Sequence, residues 1–135
     1  MASSLKNLSE YVSDIEISGD GLKIGIAVSE WNDKITSSLL DACRNTLIKH
    51  GVSEDNITVI TVPGSFELPM ASKLLIKKNP DAVITLGCVI RGETKHDDYI
   101  NHAIASGLVQ LSLISNIPCI YGVVTTNTLE QAQDR

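Results

Sequence analysis

Positive charge is in short supply in this chain. Eleven Lys and Arg face sixteen Asp and Glu, giving a formal net charge of −5. That balance argues against nonspecific nucleic-acid binding, which needs a basic face. No block of like charges occurs, so no charged tail is expected. Cysteine is sparse as well. Cys43, Cys88 and Cys119 are odd in number and form no C-x-x-C pair. This argues against a disulfide framework and against a zinc knuckle. Each of the three lies in an apolar pattern and reads as a small buried hydrophobe. A nucleophilic Cys88 is the alternative, since it stands at a strand end, although no adjacent base is evident. No apolar run approaches the roughly 20 residues a membrane span needs. The start, MASSLKNLSEYVSD, lacks the basic opening and apolar core of a signal peptide. A cytoplasmic protein with no membrane partner is the expectation. Internal repeats, low-complexity segments and linkers are also missing.

What is present fits one domain. A chain of 135 residues can bury roughly two-thirds of its unfolded surface. Residues 1–21 show no sustained helical period. Val12, Ile15 and Ile17 suggest a short extended piece, ended by Gly19-Asp20-Gly21. It is either a frayed terminus or an arm that pairs with a neighbour's sheet edge. From residue 22 the chain alternates. Residues 22–28 (LKIGIAV), 57–62 (ITVITV), 81–86 and 119–124 are short apolar runs of the kind that form parallel strands buried on both faces. Helical patterns follow each of them. Ile35, Leu39, Leu40, Cys43, Leu47 and Ile48 make one stripe, with Asn32 or Asp33 as its cap and Gly51 past its end. Ala71, Leu74 and Leu75 give the second helix its apolar side, and Pro69 suits its first turn. The third runs from about residue 97 to 115 on Ile100, Ile104, Leu108, Leu111 and Ile114. The fourth begins after Thr125-Thr126-Asn127-Thr128.

Four strand-helix units with long crossovers predict a parallel four-stranded sheet with helices on both faces, an α/β/α sandwich. In such sheets ligands bind at the carboxyl edge of the strands. Four loops should therefore meet there: near Trp31, at Gly64-Ser65-Phe66-Glu67, from Cys88 to His96, and at Thr125-Thr126. The segment 87–102, GCVIRGETKHDDYINH, is the most informative. It places a glycine, a hydroxyl, two cations, a carboxylate and His96 at a helix mouth. Free N–H groups and a partial positive charge at a helix N-terminus attract anions. His96 would stand beside any anion bound there.

Aromatic residues make up only 4% of the chain, and Trp31 and Phe66 are the single tryptophan and the single phenylalanine. Their position on two of these loops is hard to explain as core filling. Each either covers the face of a planar ligand or plugs a helix start. Glu67 is either a carboxylate matched to a helix dipole or a partner for a ligand donor. Asp98 and His102 share a helix face at a spacing metal ligands use, but an exposed ion pair is the ordinary outcome there. No metal is expected.

Taken together, S-E-W-N-D at 29–33, V-P-G-S-F-E-L-P at 62–69, G-C-V-I-R-G-E-T-K-H-D-D-Y-I at 87–100, I-P-C-I-Y-G-V-V-T-T at 117–126 and L-E-Q-A-Q-D-R at 129–135 resemble the 6,7-dimethyl-8-ribityllumazine synthase family. The resemblance covers roughly residues 22–135 and touches every loop at the ligand edge. It implies a flavodoxin-like fold and the penultimate step of riboflavin biosynthesis. In that step 5-amino-6-(D-ribitylamino)uracil condenses with 3,4-dihydroxy-2-butanone 4-phosphate, with no metal or organic cofactor. It further implies that Trp31 stacks on the pyrimidine. Ser65, Phe66 and Glu67 bind the ribityl chain and pyrimidine, helped by Cys88, Val89 and Ile90. Glu93 and Thr94 hold the phosphate through their backbone N–H groups, and His96 transfers protons. Tyr121 and Arg135 serve a neighbouring subunit's site, so the resemblance implies a pentamer or a hollow shell of sixty copies. The family's pattern continues past residue 135 into a G-x-K-x-G-N-K-G-like turn and a further helix. The expectation for this sequence is an arm, 1–21, and one domain, 22–135, without that helix. Two other readings compete: a noncatalytic flavin- or lumazine-binding shell protein on the same scaffold, and a generic flavodoxin-like module. Neither requires both His96 and Arg135.

Overall fold

The computed structural model describes residues 16–135. Val12 and Ile15 of the expected arm lie outside them, and Ile17 is exposed. Four strands alternate with four helices: β1 (Ile24–Ser29), α1 (Asp33–Lys49), β2 (Ile57–Val62), α2 (Leu68–Ile76), β3 (Ala82–Ile90), α3 (His96–Ser115), β4 (Cys119–Thr126) and α4 (Leu129–Gln133). Single 3-10 turns at Glu54–Asn56 and Ser65–Glu67 precede β2 and α2. All strand pairs are parallel, in the order β2-β1-β3-β4.

Side chains alternate across the sheet, and each face has its own core. Ile24, Ile26, Val28 and Leu86 pack with Leu39, Leu40, Cys43 and Leu47 of α1. Ala27, Val83, Val89 and Val123 pack on the other face with Leu68, Ala71 and Leu75 of α2 and Ile104 and Leu108 of α3. Ala132 of α4 joins Ile35 and Cys88 on the α1 side. The result is the predicted three-layer α/β/α sandwich, flavodoxin-like in strand order.

Two strands run further than expected. β3 continues through Gly87, Cys88, Val89 and Ile90, paired with β4 as far as Ile90↔Thr126. These residues are strand, not loop. Their backbone groups find ladder partners on β4, a tertiary fact that a short apolar run does not reveal. Some predicted core positions are exposed: Ile114 at 80%, Leu74 at 45% and Ile48 at 43%. The apolar pattern of α3 is wider than the stripe the sheet covers; only Ile104 and Leu108 of that helix are buried. Asn32 does precede α1, yet its side chain makes no cap bond. Gly51 follows α1 at φ 95, the backbone conformation glycine adopts most readily.

Candidate active site

The order β2-β1-β3-β4 puts the topological switch between β1 and β3. At that point the chain leaves adjacent strands in opposite directions, and a crevice opens at their carboxyl ends. A cleft of about 490 Å³ lies there. Its lining includes Trp31, Ser65, Phe66, Glu67, Cys88, Val89, Ile90, Thr94 and His96, together with Asn32, Gly64, Gly92, Asp97 and Ile100. Residues as far apart in sequence as 31, 66 and 96 thus share one space.

Each loop is held by a specific contact. After β1, the Glu30 N–H donates to Val62 O (2.8 Å) and the Trp31 N–H to Pro63 O (3.0 Å). The loop after β1 is thereby tied to the end of β2. Trp31 is 74% and Phe66 60% exposed. Two rings that contribute so little to the core are available to a ligand, which favours the planar-ligand reading over a hydrophobic plug.

The turn before α2 brings a buried hydroxyl to the cleft. Ser65 is buried, and its Oγ lies 3.3 Å from the buried Ser29 Oγ at the end of β1. Ser65 rests on β3 at a place where residue 87 must lack a side chain. A Cβ on Gly87 would stand 2.6 Å from Ser65 Oγ and 3.0 Å from Leu68 Cδ1. Glu67 folds back on its own turn: Oε2 accepts from the Gly64 N–H at 2.9 Å, and its own N–H donates to Gly64 O. One carboxylate oxygen therefore caps the local turn.

At the third wall, the Arg91 N–H donates to Thr126 O and ends the β3–β4 ladder. The chain then crosses Gly92 to Lys95 and enters α3 at His96. No side chain caps α3, and Asp97 and Asp98 lie in its first turn. His96 is exposed at the mouth of the cleft. Ile100, one turn further along the same face, was missed by the sequence reading; the i, i+4 spacing from His96 could have found it. Asp98 and His102 form no ion pair; among the described residues Arg44–Glu54 is the one salt bridge. Cys88 is buried, and burial pushes its thiol above the ordinary range. A neutral buried thiol makes a poor nucleophile, so Cys88 serves as wall.

Three expected residues are not in this cleft. Glu93 is exposed on the loop beside it. Tyr121 lies on β4 opposite Thr85. Five residues separate it from the end of the strand, about 16 Å of extended chain. Burial raises the Tyr121 phenol above its usual range. Arg135 lines a second, more polar cleft of about 540 Å³ with Asn101, Thr125, Asn127 and Gln131. Val89 and Asp97 border both clefts. Within the described residues no helix is long and apolar enough to cross a membrane.

The cleft has the ingredients for a planar polar substrate: two exposed rings, hydroxyl and carboxylate groups, strand-end backbone, and an imidazole at a helix start. Sequence similarity to known proteins points to one family. The model of the 6,7-dimethyl-8-ribityllumazine synthase family matches residues 21–135. A 6,7-dimethyl-8-ribityllumazine synthase of Phocaeicola vulgatus is 48% identical over 136 residues, covering 100% of this chain and 81% of its own. That of Parabacteroides distasonis is also 48% identical, over 100% of this chain and 85% of its own. That of Bacteroides fragilis reaches 52% over 84% of this chain and 80% of its own. Motif, strand order and near-full-length similarity converge, and the chain belongs to the 6,7-dimethyl-8-ribityllumazine synthase family.

Proposed function

We propose that this chain is a transferase of riboflavin biosynthesis. It condenses 5-amino-6-(D-ribitylamino)uracil with 3,4-dihydroxy-2-butanone 4-phosphate, forms 6,7-dimethyl-8-ribityllumazine and releases phosphate. The observation that carries this reading is the convergence of Trp31, Phe66 and His96 on one cleft at the sheet's switch point. Trp31 and Phe66 take the faces of the pyrimidine. Ser65, Glu67 and the strand-end backbone at Cys88, Val89 and Ile90 take the ribityl hydroxyls and ring edges. Backbone N–H groups at Glu93 and Thr94 receive the phosphate, which is lost as a leaving group once its charge is stabilised. His96 relays protons in imine formation and phosphate elimination.

Tyr121 and Arg135 belong, in this reading, to the site of an adjacent copy. Their position outside the cleft supports that arrangement. So do exposed apolar side chains on α3: Tyr99, Val109, Leu113 and Ile114. Large apolar side chains left exposed along one helix suit an interface. The assembly is a pentamer, or twelve pentamers closed into a shell; light scattering distinguishes the two. A cytoplasmic location goes with this reading, since three free cysteines suit a reducing compartment.

The test mixes purified protein with both substrates and follows the visible absorbance and green fluorescence of the lumazine. His96→Ala should lower kcat by about 10²-fold or more while KM changes little. A rate within a few-fold of wild type would remove His96 from proton transfer.

A further inference from the structure

Asn32 has a conformation and a partner that helix initiation does not explain. Its backbone is left-handed, φ 62 and ψ 46. Its carbonyl accepts from the Ile35 N–H (2.9 Å) and the Thr36 N–H (3.1 Å), so it does begin α1. An asparagine there ordinarily turns its side chain onto the helix's own N–H groups. This one turns away and donates Nδ2–H to Cys88 O at 3.0 Å, across 56 positions of sequence.

The acceptor is a strand carbonyl with a missing neighbour. Pairing of β3 with β1 ends at Val28↔Leu86. Beyond that register the chain from β1 parts from β3 and follows β2, with Ser29 opposite Val62 and the Trp31 N–H on Pro63 O, so the Cys88 carbonyl faces the crevice without a ladder donor. The Asn32 amide supplies one. Its neighbour Trp31 is 74% exposed, so little packing holds the ring. Its direction must come from the backbone on either side. On one side the Trp31 N–H is tied to Pro63 O. On the other stands Asn32, tied to β3.

We propose that Asn32 is a positioning residue: its bond to Cys88 O, together with its left-handed backbone, fixes Trp31 over the cleft and so sets the affinity for the pyrimidine substrate. This rests on the reading of the cleft given above. The test is therefore built to separate the two. Asn32→Gly keeps the left-handed backbone and removes the donor. Asn32→Asp keeps shape and left-handed tolerance but turns an acceptor onto a carbonyl. Because Trp31 is the only tryptophan, time-resolved emission anisotropy of the intact assembly reports its motion without any substrate.

Both variants should show a larger fast anisotropy component than wild type. Both should raise KM for the pyrimidine about tenfold, the effect of one hydrogen bond, with kcat and the KM for the butanone phosphate within about twofold. A merely structural defect would lower the melting midpoint and kcat together and leave no such split. Unchanged Trp31 anisotropy in both variants overturns the proposal, as does an Asn32→Asp protein that matches wild type in every readout. If the anisotropy changes while the wild type makes no lumazine, positioning stands and the enzymatic reading falls.

Discussion

Gly87 and Ser65 show how closely single atoms define the cleft floor. A methyl group on residue 87 would overlap Ser65 Oγ at 2.6 Å, a distance real Cβ contacts do not reach. Gly87→Ala should therefore push the Ser65 turn outward and cost about 1–3 kcal/mol of stability. A lower urea midpoint at unchanged m-value, with weakened pyrimidine binding, is the expected pair of results. An unaltered midpoint would mean that the turn gives way freely. His96, Trp31 and Phe66 were legible in the sequence because rare residue types fell on loops that the strand-helix alternation sends to one edge. Asn32 was legible only as a helix start. Nothing in the order of residues says that its backbone is left-handed or that its amide reaches Cys88. Glu67 was left between two roles, and one oxygen proves to be spent on Gly64.

At the scale of elements, strands were easier to read than their ends. The β-branched runs located all four, but β3 and β4 extend each other by mutual pairing past the apolar stretch. The helix α3 misled in a more useful way. Its apolar pattern exceeds what one sheet can cover, and Leu113 and Ile114 are 74% and 80% exposed. An exposed position tolerates substitution in the isolated fold to within about 0.5 kcal/mol. Leu113→Glu should accordingly leave far-ultraviolet circular dichroism and monomer stability near wild type. It should nevertheless break the assembly, read by light scattering, and reduce turnover by roughly tenfold or more, as expected when an interface supplies part of the site. An assembled, active Leu113→Glu protein would place the contact elsewhere.

For the molecule as a whole, one buried and two partly buried groups bias stability against alkaline pH. Burial raises the pKa of Cys43, Cys88 and Tyr121. Each is neutral when protonated, so the unfolded chain releases these protons before the folded one does. Their contribution is complete below the ordinary thiol range, about 8.5, and is lost as pH rises through the folded values. The urea midpoint should fall steadily from pH 8 to pH 10.5, and Cys88→Ser should flatten the slope. A midpoint that rises over this interval would contradict the assignment. Neither Tyr121 nor Arg135 lines the cleft that holds Trp31, Phe66 and His96. In the proposed assembly, a copy that lends Tyr121 and Arg135 to a neighbour's cleft would join two unlike patches, and its own cleft would still wait for a third copy. Such head-to-tail contact has no two-fold solution: a pair of copies would complete one site and leave the other half open. The chain of lending ends only when the last copy meets the first. Under that proposal, closure of a ring is a condition for every site being whole, and partial assemblies should lose activity in proportion to their unclosed ends.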